Sequence, residues 1–148
     1  MGLKMNLRRL RTFLTVSLLL AITVNCNDKN SVVPNVRVNF YLNLNDPDFS
    51  TLNSPGNSVF VSGGVNGIVI YRIDSEEFGA YDRTCTYNVE DNCAVVLDET
   101  GVFAADTLCC GSEYLLLDGS ATTGPATLPL KRYRTTFDAG MNTVHVYN

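Results

Sequence analysis

Histidine is nearly absent from this chain: His145 is the single one among 148 residues. That scarcity removes the usual activated nucleophiles, because a catalytic Cys or Ser needs a base or a cationic neighbour to lose its proton. His145 lies in the last strand-like run, far in sequence from every cysteine, and reads as an ordinary strand-surface imidazole. Paired acids do not supply the missing chemistry. Glu76-Glu77, Glu90-Asp91 and Asp98-Glu99 each sit at a turn, and neighbours on a strand point to opposite faces, so they cannot converge on one bond. No catalytic residue is therefore expected. Positive charge is scarce too. Four of the eleven basic residues (Lys4, Arg8, Arg9, Arg11) fall in the first eleven positions, whereas all fifteen acids lie beyond residue 25; eleven minus four leaves seven against fifteen, a net charge of −8. A nucleic-acid partner is excluded on that balance, which offers no basic stripe to displace phosphate counterions. The one local cluster, Lys131-Arg132 with Arg134, reads as a solvated strand edge. Internal repeats, low-complexity stretches and any helical period after the first 25 residues are also missing.

What the N-terminal segment does contain is an export signal. Four basic residues precede an uncharged, mostly apolar run at positions 12–24, shorter than the roughly 20 residues that span a bilayer and arranged like a removed signal peptide. The run stops at Asn25-Cys26. This junction resembles a relaxed lipobox, with Asn25 in place of the usual small residue, and it makes Cys26 the expected lipidation site. Cysteine parity agrees: five is odd for an exported protein, and giving Cys26 to lipid leaves four that can pair. The expected division is a lipoprotein signal peptide at 1–25, a lipid-anchored tether at 26–34 and a single β domain at 35–148, with the membrane as partner through lipid.

The domain reads as strands throughout. Val36, Val38, Phe40, Leu42 and Leu44 alternate with mostly polar residues and are expected to share one inner face. Two turn clusters, at 45–50 and 53–57, follow; the acids Asp46 and Asp48 within the first lack any calcium-loop spacing. Positions 58–61, 67–73 and 78–81 form an antiparallel meander, 94–98 and 101–104 a hairpin, 113–117 a further strand, and 130–137 with 143–147 a closing hairpin. The expected fold class is all-β, an antiparallel sandwich of short strands.

Four cysteines occupy two loops within this pattern. The first opens with Asp82-Arg83-Thr84-Cys85-Thr86-Tyr87, the second closes with Leu108-Cys109-Cys110-Gly111-Ser112, and Gly124-Pro125-Ala126 follows downstream. Together these resemble the Rieske [2Fe-2S] domain, whose loops carry Cys-x-His and Cys-x-x-His-Gly-Ser, and in particular Rieske-like lipoproteins of Bacteroidota-type bacteria. The resemblance implies a Rieske-like β-sandwich with both loops at one tip. It also implies a ligand set that this chain breaks. Cys85 matches the first Cys ligand, but Tyr87 stands at the first His position, Thr107 at the second Cys ligand and Cys110 at the second His.

The same resemblance implies Cys93 paired with Cys109, the family's outer disulfide, and Cys85 paired with Cys110 across the vacated cluster position, one of three connectivities open to four cysteines. The expected cofactor is none, and the expected metal ligands none, with a [2Fe-2S] cluster or zinc as the alternative. The expected function is a non-enzymatic envelope lipoprotein, lipid-anchored in the outer membrane, serving as a structural or accessory subunit for an envelope protein partner. The alternatives are electron transfer through an altered metal site, and a thiol-disulfide sensor built on the vicinal pair Cys109-Cys110.

Overall fold

Residues 68–72 (Ile-Val-Ile-Tyr-Arg) have no polar face, and neither do Phe78–Asp82. Such segments are stable only when covered on both sides. In the computed structural model, which describes residues 32–148, they are strands β3 (Ile68–Arg72) and β4 (Phe78–Asp82), buried at every position. With β2 (Ser58–Val61) they make an antiparallel three-stranded sheet in the order β2-β3-β4. Strand parity divides their side chains between two cores. Ile68, Ile70, Phe78 and Ala80 enter one; Val69, Tyr71 and Tyr81 enter the other.

The first core is closed by a sheet in the order β1-β10-β9, built from β1 (Asn39–Asn43), β9 (Arg134–Asp138) and β10 (Thr143–Tyr147), which contributes Leu42, Val144 and Val146. The second is closed by four short strands in sequence order, β5 (Val96–Leu97), β6 (Phe103–Ala105), β7 (Glu113–Leu115) and β8 (Ala121–Thr123), with Ala104, Tyr114 and Leu116 turned inward. All pairings are antiparallel. The fold is thus the all-β architecture read from the alternation pattern, with tip loops after β4 and β6.

Three details depart from the sequence reading. β1 starts at Asn39, so Val36 is exposed and does not share the inner face of Val38, Leu42 and Leu44. Val36 lies outside the ladder, which begins at Asn39 where β10 supplies a partner. Between and across the turn clusters read at 45–50 and 53–57 runs a 3-10 helix, Pro47–Asn53, whose Leu52 is fully buried; a second short one spans Val89–Asp91. Alternation cannot reveal elements of this length. Buried Arg72 holds the longer 3-10 helix against β3, donating to Leu52 O at 2.8 Å, Asp74 O at 2.8 Å and Ser75 O at 2.6 Å. The expected signal peptide and Cys26 lie outside the described residues, as does most of the tether. Among the described residues no helix is long and apolar enough to cross a membrane.

Candidate functional site

β4 ends in Asp82, and the chain then runs through Arg83 and Thr84 to Cys85. The first loop is closed by antiparallel contacts: Cys85 N donates to Cys93 O (2.9 Å) and Val95 N to Arg83 O (2.7 Å), with Thr84 bridged to Ala94. Asn88 and Asn92 take left-handed conformations at φ 55° and 56° on either side of the 3-10 turn, a region asparagine tolerates better than most residues. The second loop joins β6 to β7. Asp106 N donates to Ser112 O (2.9 Å) and Gly111 N to Asp106 O (2.8 Å), with Gly111 at φ 72°.

The two loops are joined by a disulfide between Cys93 and Cys109, with a Cα separation of 6.4 Å. This is the outer bridge that the resemblance implied. The second implied bridge is not formed. Cys85 and Cys110 are free thiols with their Sγ atoms 3.3 Å apart, well beyond the bonded distance of about 2.05 Å. Each sulfur has other partners: Tyr114 Oη lies 3.4 Å from Cys85 Sγ, while Cys110 Sγ donates to Asp106 Oδ2 at 3.1 Å and contacts Ser112 Oγ at 3.1 Å. Of the vicinal pair, Cys109 is bonded to Cys93 and Cys110 is a free thiol.

A third segment seals the tip. Thr86 Oγ1 donates to Leu128 O (2.7 Å), and Ala126 N donates to Ser112 Oγ (2.9 Å). Tyr114 Oη accepts from Thr86 N at 3.1 Å, linking the buried end of β7 to the first loop. Burial dominates the acid-base behaviour here. It pushes the Cys85 thiol up to about 12, helped by the neighbouring Cys110 and opposed by the Tyr114 hydrogen bond, and it raises Tyr114 as well. Asp106 moves the other way. Burial would raise it, but Oδ1 accepts from Leu108 N (3.1 Å) and Cys109 N (2.9 Å), and these bonds with the Cys110 thiol leave it below the ordinary carboxylate value.

Of the positions singled out from the sequence, Cys85 and Cys110 meet, and Cys93 and Cys109 brace them. Thr107 is exposed and turned from the centre, whereas its neighbour Asp106 is buried beside both free sulfurs. Tyr87 packs against the second core, half-buried. Arg83 does not activate Cys85: its Nε donates to Val95 O at 3.0 Å and its guanidinium stacks 3.9 Å from the Phe60 ring centroid. Asp106 is the residue that motif matching missed. A sequence signal existed, since an Asp opening a tight loop commonly accepts from backbone N–H groups two and three residues on.

The fold now has solved counterparts. The plasma membrane Rieske protein PetC3 of the cyanobacterium Synechocystis aligns with a TM-score of 0.52 at 21% identity, covering 76% of this chain and 98% of that one. The ferredoxin–oxygenase complex of carbazole 1,9a-dioxygenase gives 0.45 at 24% identity, covering 63% and 82%, and the carbazole 1,9a-dioxygenase ferredoxin of Nocardioides aromaticivorans gives 0.42 at 17%, covering 62% and 85%. No protein-family model and no curated protein sequence matches the chain. The class that fold and tip define is a Rieske-like domain. At this identity the likeness is one of fold.

The ligands of a Rieske centre can be tested against these side chains. Such a centre takes two thiolates on one iron and two imidazoles on the other. His145 stands on the opposite sheet, its Nε2 2.7 Å from Asn39 Oδ1 and its ring stacked on Tyr41 and Tyr147. The tip offers two thiols and one carboxylate, and its other two sulfurs are consumed in the disulfide. The residues present do not fit that group.

Proposed function

We propose that this chain is a lipid-anchored envelope module that has kept the Rieske-like fold and works without an iron–sulfur cluster, as a non-enzymatic structural or accessory subunit. One observation carries the reading. The tip that would surround the cluster is occupied by direct contacts among Cys85, Cys110, Asp106, Ser112 and Tyr114, with two sulfurs 3.3 Å apart. Two irons and their bridging sulfides do not fit in that gap while these bonds persist. The lipobox-like junction at Cys26 supports a lipid anchor, and the resemblance to Rieske-like lipoproteins of Bacteroidota-type bacteria supports the outer membrane as its site. Exposed apolar surface supports a protein partner: Leu108 is 85% exposed, and a cavity of about 450 Å³ is lined by Val33, Thr86, Leu128, Pro129 and Leu130.

The native lipoprotein, purified anaerobically in mild detergent, is expected to be colourless, free of iron and acid-labile sulfide, and accompanied by a stoichiometric envelope protein. Two irons and two sulfides per chain would overturn the reading. Cys26→Ser is expected to release the domain into the soluble fraction; a variant still bound to the membrane would contradict the lipid anchor.

A further inference from the structure

Three metal-ligating atoms converge at the tip. Cys85 Sγ and Cys110 Sγ are 3.3 Å apart, Asp106 Oδ2 is 3.1 Å from Cys110 Sγ, and the three donor atoms all lie within 4.8 Å of one another. Cys85 and Asp106 are buried while Cys110 is half-buried, so the triad is reached from the Cys110 side. We propose that Cys85, Asp106 and Cys110 form a mononuclear zinc site whose fourth position is left to water. This rests on the cluster-free reading, because an iron–sulfur cluster would claim the same two sulfurs.

Distances support an ion of this size. Two thiolates each about 2.3 Å from zinc are separated by about 3.3 Å when the S–Zn–S angle is near 90°, and by about 3.8 Å at the tetrahedral angle. A sulfur and a carboxylate oxygen at about 2.3 and 2.0 Å are about 3.1 Å apart at a similar right angle. The Cys85–Cys110 and Cys110–Asp106 separations therefore lie within a few tenths of an ångström of what the ion requires.

Charge supports it as well. Asp106 is buried, yet among the described residues the one ion pair is the surface contact of Arg132 with Glu77. Its carboxylate is met by backbone N–H groups and by the thiols of Cys110 and Cys85. A buried anion without a cation is costly, and a divalent ion gives the carboxylate a cation to bind directly; two thiols and Zn²⁺ give a dithiolate complex and two H⁺, so the net charge of the site is unchanged while its carboxylate gains a positive partner. Donor softness selects the metal. Calcium and magnesium take oxygen ligands, whereas two thiolates with one carboxylate suit borderline-soft zinc. Tyr114 and Ser112 hydroxyls on the sulfurs, with the Leu108 and Cys109 amides on the second carboxylate oxygen, are placed to orient the donors.

The test uses the full chain, purified anaerobically in mild detergent and titrated with Zn²⁺ and then with Co²⁺ as a spectroscopic substitute. One metal per chain, release of two protons, protection of Cys85 and Cys110 from alkylation and a thiolate-to-cobalt charge-transfer band are expected. Cys85→Ser and Cys110→Ser should each weaken the band and lower affinity at least tenfold, and Asp106→Asn should keep the band while lowering affinity about 10–100-fold. No cobalt band with both thiols alkylated at unchanged rates in the unaltered protein would overturn the site, as would a Cys85–Cys110 disulfide in protein never exposed to oxidant. Iron with acid-labile sulfide would instead overturn the cluster-free reading, so the two failures are distinguishable.

Discussion

Asp82 and Asp106 are both fully buried carboxylates, each near one of the two cysteine loops, and they differ in what meets their oxygens. Asp82 is closed. Its Oδ1 accepts from Thr84 N (3.0 Å) and Thr84 Oγ1 (2.6 Å), and its Oδ2 from Val65 N (2.7 Å) and Tyr133 Oη (2.8 Å). The result ties β4, the turn before β3 and the segment leading to β9 into one node. Asp106 is closed on one side only: Oδ1 takes two backbone amides, while Oδ2 faces the Cys110 thiol. The same residue type thus makes a structural knot at one end of the loop and leaves a donor for chemistry at the other. Burial alone does not separate the two roles; a thiol among the partners of Asp106, where Asp82 has only amides and hydroxyls, does.

The largest effect expected from breaking this comparison is at Asp82. Asp82→Ala leaves several buried donors unpaired, and at about 1–3 kcal/mol for each such group the variant should lose on the order of 3–5 kcal/mol in denaturant titrations, or fail to fold. A loss under 1 kcal/mol would show that the node is not structural. Next comes the bridge. Cys93→Ser with Cys109→Ser removes a crosslink across a sequence separation of 16, and about 3 kcal/mol is expected to go with it; unchanged stability would mean the loops are held by packing alone. Asp106→Asn should cost less, about 1–2 kcal/mol, because the amide oxygen still accepts from Leu108 and Cys109. Its larger consequence should be faster alkylation of Cys110.

pH sharpens the contrast. Both carboxylates are held below their ordinary value by hydrogen bonds that outweigh burial, so the folded state binds fewer protons than the unfolded one in acid. The stability they confer is complete above about pH 4 and is lost as pH falls through the depressed folded values. Asp82→Asn and Asp106→Asn should each flatten that acid limb. Cys85 behaves oppositely. The unfolded thiol ionises above about 8.5 while the folded one keeps its proton to about 12, so stability falls as pH rises between those values, on the order of 1 kcal/mol per unit. Cys85→Ser should remove that share of the alkaline loss. The smallest effect is expected for Tyr114→Phe, about 1 kcal/mol, read out as a further upward shift of the Cys85 thiol and slower alkylation there, because the hydrogen bond that opposes burial is gone; no change in either would leave Tyr114 as core packing only.

Much of this was legible in the sequence where one rule governs the residues. The alternation of Tyr133, Thr135 and Phe137 against Arg132, Arg134 and Thr136 reappears as alternating burial, and the apolar runs of β3 and β4 proved to be the doubly covered layer. The cysteine loops were legible through a motif. What escaped was fixed by contacts distant in sequence. Val36 is apolar but has no strand opposite it, and Leu52 is buried because Arg72 grips the 3-10 turn from 20 residues away. Asp106 escaped because motif alignment points to the position beside it: Thr107 occupies the ligand slot, yet the loop turns that side chain to solvent and the carboxylate inward. The free pair Cys85 and Cys110 escaped for a related reason, since spacing says nothing about the hydroxyls and carboxylate that hold each sulfur.

The most direct test of the account is differential alkylation of the native protein under anaerobic conditions, followed by non-reducing peptide mapping. The account predicts one disulfide, Cys93 with Cys109, and two sulfurs at Cys85 and Cys110 that alkylate only after chelation or unfolding. Recovery of Cys93 and Cys109 as thiols, or of Cys85 bonded to Cys110, would contradict it.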